Sequence, residues 1–346
     1  MLKSYSYIES KHQELHKAVI SFFNRIEEET GDFNNNFFDT EFLKVAKRHK
    51  KIVYGRLKSI YEVTKTWEQE QRTELCEQIR ESNLIDDICS NTASPQKLDK
   101  DVTGVQKTLR EFFLALYNQV LDGRIIREEW GISLREHFDA FRANNGNIIT
   151  CPICGINPIK TKCDDQRDQY DHYLPKSLYP YSAINFKNLV PTCTDCNSTQ
   201  IKGDKDIIEI ANNGALFFPF EENHSDIDII CELTLNASVL EDTDWDITYS
   251  SDQECDNQIR AWKEIYSIES RHKSFIQGRL DSWLKSYIKY SQTPEVVALS
   301  ADIKRMTFLV SLKVAIDESP LKYAALSAFL KDGLLQQAMD EAKKYS

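Results

Sequence analysis

The sequence lacks the features of a membrane-bound or secreted protein. It has no run of about eighteen apolar residues, the length needed to span a bilayer, and Met1 to Ser10 form a polar start without a signal peptide. Glycine and proline are scarce, at 11 and 9 of 346 residues, and no repeat or low-complexity tract is present. We therefore expect a globular protein of the cytoplasm with no membrane association.

The nine cysteines do not suggest a disulfide framework, because their number is odd and cytoplasmic thiols stay reduced. Four of them form two C-x-x-C pairs, Cys151 with Cys154 and Cys193 with Cys196. Two such turns can offer four thiolates to one tetrahedral structural Zn²⁺. A redox pair is the alternative, but it normally occurs once and beside a βαβ pattern. Of the other cysteines, only Cys163, beside two aspartates, is a candidate alternative ligand.

Positive charge is missing from one segment. Residues 206–258 contain 14 Asp or Glu and no Lys or Arg, whereas the whole chain has a net charge of −11. The rest of the chain is therefore slightly positive. This distribution argues against a generally basic DNA-coating protein, but it is compatible with a local positive groove.

The pattern of apolar residues divides the chain into four parts. Residues 1–146 read as helices, with a capping box at Ser133 and Glu136. Asn-rich residues 144–147 indicate a turn, and the cysteine-rich residues 147–205 follow. β-Branched and aromatic residues predict strands at 217–220, 226–230, 232–235 and 245–249, within the acidic segment 206–258. Residues 259–346 read as helices again.

Three short motifs lie between and around the cysteine pairs: D-H-Y-L-P-K at 171–176, N-L-V-P at 188–191 and K-G-D at 202–204. With C-N at 196–197, their order and spacing resemble the HNH endonuclease family, whose core is a ββα-metal fold. The resemblance covers about a sixth of the chain. It implies an α+β protein with a zinc-stapled ββα-metal core at 147–205, between mainly helical terminal regions and beside a short acidic β segment.

The resemblance also implies an activity, the metal-dependent hydrolysis of phosphodiester bonds in nucleic acid, for which we expect DNA rather than RNA as the substrate. His172 would be the general base, since a neutral imidazole can take a proton from water. Asp171, and Asn197 from the helix, would bind a catalytic Mg²⁺ or Mn²⁺ through oxygen. Asn188 would brace the loop that bears the base, and Lys202 would contact the phosphate. Adjacent residues on a continuing strand face opposite ways, so Asp171 and His172 can share a site only where their strand ends.

Two readings remain open beside this one. The cysteine-rich section can be a catalytically silent zinc ribbon that binds nucleic acid or protein. A stretch without acidic residues, from Phe42 to Tyr61, can bind phosphates or can be a solvated helix face. Its cations are Lys44, Lys47, Arg48, Lys50, Lys51, Arg56 and Lys58.

The same core motifs resemble, more weakly, the HNH effector subunits of bacterial anti-phage systems such as Septu. That resemblance implies a role in antiviral defence beside a protein partner, an ATPase subunit. The acidic segment repels DNA, so it can serve protein docking or autoinhibition, or it can be an ordinary acidic surface sheet; we do not expect it to bind the substrate.

Overall fold

The computed structural model describes residues 5–220, 227–234, 244–251, 254–298, 304, 308–309 and 319–331. The chain divides into two compact units. The N-terminal unit comprises residues 4–149 and 159–222, and the C-terminal unit comprises residues 1–3, 150–158 and 223–346. These units do not follow the four predicted segments, because most of residues 147–205 belongs with the N-terminal helices.

The N-terminal unit is mainly helical. Wider π-type turns occupy Lys50–Tyr54 and Leu116–Val120. Its helices are α1 (Gln13–Ile26), α2 (Thr40–Arg48), α3 (Gly55–Thr64), α4 (Gln69–Glu81), α5 (Ile85–Cys89), α6 (Gly104–Ala115), α7 (Arg124–Trp130), α8 (Leu134–Asn144) and α9 (Ile207–Ala211).

The predicted start of α8 is confirmed. The Ser133 hydroxyl accepts a hydrogen bond from the Glu136 amide at 3.2 Å, and the Glu136 carboxylate accepts one from the Ser133 amide at 2.8 Å. This reciprocal pair is the capping box that the sequence indicates, and it satisfies two backbone donors that the first turn of a helix leaves unpaired.

Two short strands complete the N-terminal unit. Strand β1 (Tyr170–His172) pairs antiparallel with β2 (Leu189–Pro191), so that Asp171 lies opposite Val190. The loop between these strands contains short 3₁₀ helices at Pro180–Ser182 and Phe186–Asn188. Thus the predicted motifs at 171–176 and 188–191 form one hairpin-like element.

An aromatic core holds that loop against the helices. Phe113 of α6 stacks on Phe23 of α1, with ring centroids 5.9 Å apart, and also contacts Tyr181 of the loop at 5.2 Å. All three side chains are fully buried. Burial of a large apolar side chain stabilises a fold by about 1.5–3 kcal/mol, so this packing fixes the β1–β2 loop in place.

The C-terminal unit contains a β-hairpin and helices. Strand β3 (Ile227–Thr234) pairs antiparallel with β4 (Asp244–Ser251). Buried residues of this unit, among them Phe275, Trp283 and Leu321, pack together in one core. Its helices are α10 (Asp256–Ile265), α11 (Ile268–Gln277), α12 (Leu280–Ser291), α13 (Pro294–Val297) and α14 (Ser319–Lys331).

The prediction of mixed helix and sheet is confirmed, but one predicted strand is wrong. Residues 217–220 form a buried loop, in which the Pro219 carbonyl accepts a hydrogen bond from the Tyr5 amide at 2.8 Å. The Phe217 carbonyl accepts a hydrogen bond from the Tyr173 hydroxyl at 2.5 Å. Aromatic residues that fill a core resemble a strand in sequence, and Pro219 cannot donate to a sheet. Within the described residues, no helix is long and apolar enough to cross a membrane.

Candidate active site

The end of β1 places two predicted residues at one cleft. Because β1 ends at His172, the alternation of a continuing strand does not separate this residue from Asp171. Both side chains line a cleft of about 330 Å³ in the N-terminal unit, and Asn197 lines it too. The structure therefore brings together the predicted base and the two predicted ligands of the catalytic metal.

The His172 imidazole is held in one tautomer. Its Nε2 lies 3.0 Å from the Ala183 carbonyl, which can only accept, so Nε2 carries the proton and Nδ1 has the free lone pair. The imidazole and the Tyr117 ring pack in a T-shaped arrangement, with ring centroids 4.3 Å apart. Burial keeps the pKa of His172 well below its ordinary value. The ring is therefore neutral at neutral pH, as a general base must be before it accepts a proton.

Lys202 does not lie where the sequence analysis expects a phosphate contact. Its ammonium is buried, with an exposed fraction of 1%, and it donates to Asp171 Oδ1 at 2.8 Å and to the His172 carbonyl at 2.6 Å. The ammonium is therefore placed in a buried ion pair and not in the cleft lining, where a phosphate contact would need it. The physical reason is that a carboxylate as buried as that of Asp171 needs a compensating charge, and Lys202 supplies it.

Asn197 lies in a series of turns at residues 194–204 and not on a helix, which corrects the expected source of this ligand. Its Nδ2 donates to the Tyr170 carbonyl over 3.4 Å. Gly203 ends the series at a positive φ of 48°, and its amide donates to the Ser198 carbonyl at 2.9 Å. A side chain at Gly203 would meet the Thr199 backbone at 3.0 Å, so this turn leaves little room for any residue but glycine.

Asn188 ties the two ends of the β1–β2 loop together. Its Oδ1 accepts from the Leu174 amide at 2.7 Å, and its Nδ2 donates to the Leu174 carbonyl at 3.1 Å. Nδ2 also lies within hydrogen-bond distance of the Ser182 carbonyl and hydroxyl. The side chain is fully buried and is absent from the cleft lining. These contacts hold the loop that follows His172, which is the bracing position that the resemblance implies.

Sequence reasoning missed the contribution of the N-terminal helices. Arg110 of α6 and Asn118 of the π-type turn line the cleft, as does Lys176 of the D-H-Y-L-P-K motif. The Lys176 ammonium lies 4.5 Å from the centre of the Tyr117 ring, and burial lowers its pKa from the ordinary value. The sequence shows that Arg110 is a charged residue next to the apolar positions of α6. Helical periodicity alone does not show which loop packs against Arg110.

The four paired cysteines form one cluster. The sulfurs of Cys151, Cys154, Cys193 and Cys196 all lie within 4.8 Å of one another and are buried. In a tetrahedral zinc site, a Zn–S distance of about 2.3 Å separates the sulfurs by roughly 3.8 Å. The cluster can therefore hold a metal ion such as zinc. Cys163 is exposed and is not part of it.

The first cysteine pair is supported by side chains of the C-terminal unit. The Trp262 indole donates to the Ile153 carbonyl at 2.8 Å, and His272 Nε2 lies 2.9 Å from the Cys154 carbonyl. Gly155, at a positive φ of 64°, donates its amide to the Cys151 carbonyl at 2.7 Å. Backbone groups of this turn are thus held by hydrogen bonds, which orients the thiols before metal binds.

Comparisons with protein-family models, with curated proteins and with solved structures find no match for this chain.

Proposed function

We propose that the protein is a metal-dependent endonuclease of the HNH type that hydrolyses phosphodiester bonds in nucleic acid, with DNA as the expected substrate. The observation that carries the proposal is the shared cleft of His172, Asp171 and Asn197. These residues come from two different motifs of the sequence. An imidazole base beside two oxygen donors is the arrangement that phosphodiester hydrolysis uses to activate water near a cation.

In this proposal His172 accepts the proton of the attacking water at Nδ1. The hydrogen bond from Nε2 to the Ala183 carbonyl orients the ring and favours the positive charge that develops on it during proton transfer. The Tyr117 ring restricts rotation of the imidazole from the other side. Asn188 holds the backbone of Leu174, two residues after His172, and thereby keeps the base at the cleft.

Asp171 and Asn197 are the residues that would hold a Mg²⁺ or Mn²⁺ ion. A carboxylate and an amide oxygen suit such hard cations, so the donor set fits the ion in kind. Asp171 lies in the cleft lining beside Lys202, whose ammonium engages its Oδ1. When bound, the ion would polarise the phosphate and stabilise the leaving oxygen.

The second candidate is a zinc-stabilised binding module without catalytic activity. The buried pair between Asp171 and Lys202 favours it, because a carboxylate neutralised by an ammonium is also an ordinary structural ion pair. Such a module has no use for a neutral imidazole at the cleft. The two candidates therefore differ in one property. The nuclease cleaves nucleic acid when a divalent cation is present, whereas the binding module does not cleave it under any condition.

A cleavage assay separates the candidates. The full chain is incubated with plasmid DNA, single-stranded DNA and RNA, each with Mg²⁺, with Mn²⁺ and with a chelator weak enough to leave thiolate-bound zinc in place. The nuclease proposal expects cleavage that requires Mg²⁺ or Mn²⁺, with DNA cut faster than RNA. Binding of these substrates without cleavage under any of the conditions would support the binding module instead.

A further inference from the structure

Two cations at the cleft stand outside the ion pairs formed among the described residues. Within the described residues, neither Arg110 nor Lys176 lies within ion-pair distance of an Asp or Glu. Other cations of the N-terminal unit are paired, for example Arg48 with Glu129 and Lys187 with Asp86. Asp171 and Asp204 line the same cleft, so the cleft as a whole is not positive, but Arg110 and Lys176 place two cations there that can contact an anion.

Arg110 is positioned by its own hydrogen bonds. Its Nη2 donates to the Ser177 carbonyl at 3.1 Å, which fixes the plane of the guanidinium beside the loop after β1. Its Nε is buried and has no hydrogen-bond acceptor among the described residues. A buried N–H without an acceptor is costly, so an acceptor at this cleft would stabilise the arrangement.

Lys176 is positioned by an aromatic ring. Its ammonium lies 4.5 Å from the centre of the Tyr117 ring, and the same ring contacts the His172 imidazole. The ring holds the charge of Lys176 next to the predicted base without neutralising it. Lys176 and Arg110 thus reach one cleft from a loop and from a helix, and a ligand between them would be contacted from both.

We propose that Arg110 and Lys176 bind the phosphate group of the nucleic-acid substrate, the task for which the sequence analysis nominated Lys202. A guanidinium presents parallel N–H donors that match the oxygens of a phosphodiester, whereas an ammonium contributes a point charge. The inference rests on the proposed function, because that function makes a phosphodiester the anion that the cleft receives. If Arg110 and Lys176 bind the phosphate, Lys202 is not needed there and can form the buried ion pair with Asp171.

The test is the salt dependence of DNA binding. A short labelled DNA duplex is titrated with the full chain carrying His172→Gln, which prevents turnover, and with Arg110→Gln or Lys176→Met added. Loss of one phosphate contact should weaken binding about 10- to 100-fold. It should also reduce the slope of log affinity against log salt by about 0.9. Arg110→Lys should keep the slope and lose part of the affinity.

Lys17→Gln is the matched control, because Lys17 is an exposed cation of the same unit, paired with Glu14 and absent from the cleft lining. It should change neither affinity nor slope. Thermal unfolding shows whether Arg110→Gln folds. Lys176→Met provides a second test, because it does not remove the hydrogen bond between Arg110 and the Ser177 carbonyl. An unchanged slope in both folded variants would overturn the inference, as would wild-type protein that binds no DNA. Binding without cleavage by wild-type protein would leave the inference standing and overturn the proposed function instead.

Discussion

At the scale of single residues, Asp171 and Lys202 form a buried ion pair. Their side chains are 3% and 1% exposed, and 2.8 Å separates Oδ1 from Nζ. Lys202→Met leaves a buried carboxylate without its counter-charge, so we expect the free energy of unfolding to fall by about 3–5 kcal/mol. Urea denaturation followed by circular dichroism measures the change.

Two further variants identify the cause of that loss. Adding Asp171→Asn to Lys202→Met removes the uncompensated charge and should restore most of the stability. Lys44→Met breaks an exposed pair with Glu41 and should cause no measurable loss. If Lys202→Met unfolds at the wild-type urea concentration, the buried pair does not stabilise the fold.

The sequence predicts which residues meet at the cleft better than it predicts their partners. Asp171, His172 and Asn197 lie together because short motifs fix local spacing around the end of a strand. Lys202 also belongs to a motif, but the direction of its long side chain depends on the burial of Asp171, which is a property of the folded chain. Arg110 lies outside every motif, and its place at the cleft depends on how α6 packs against the β1–β2 loop.

At the scale of elements, Gly203 determines the shape of the turns that carry Asn197 and Lys202. Its φ of 48° costs an L-residue about 1–2 kcal/mol. A Cβ would also meet the Thr199 backbone at 3.0 Å. We therefore expect Gly203→Ala to lower the free energy of unfolding by more than the cost of φ alone, and to slow cleavage by displacing the turns.

Two other glycines separate conformational strain from steric clash. Gly131 has a φ of 68° and open space around a Cβ, so Gly131→Ala should show the strain alone. Gly31 has open space and no positive φ, so Gly31→Ala should cause no loss. Equal stability of the three variants in urea denaturation would show that the turns tolerate a side chain at Gly203.

Helices were the elements most readily predicted. The apolar periodicity of α1, α6 and α8 reflects one buried face, and the capping box at Ser133 locates a helix start. The π-type turn at Leu116–Val120 continues the apolar pattern of α6, and sequence therefore does not distinguish it from helix. Residues 217–220 were predicted as a strand because buried loops and strands can share aromatic composition. In both cases tertiary packing, and not the local sequence pattern, determines the backbone conformation.

At the scale of the whole molecule, the cysteine cluster makes a prediction about metal content. If Cys151, Cys154, Cys193 and Cys196 hold a structural ion, purified protein should contain about one zinc per chain. Cys193→Ser should lower the zinc content and the thermal stability together, because metal binding contributes folding free energy. Cys163→Ser, which changes an exposed cysteine outside the cluster, should change neither. Zinc-free protein that was never exposed to a chelator would contradict the assignment.

The central claim is that His172 is the base of a metal-dependent nuclease. The most direct test compares cleavage rates of DNA with saturating Mg²⁺ for wild-type protein, His172→Gln and His16→Gln. His16 is the matched control, a histidine outside the cleft lining whose Nε2 lies 2.9 Å from Asn83 Oδ1. We predict a loss of about 10²–10⁴-fold for His172→Gln, with unchanged DNA binding and unfolding temperature, and no loss for His16→Gln. Full cleavage by folded His172→Gln, at the wild-type rate, would contradict the account.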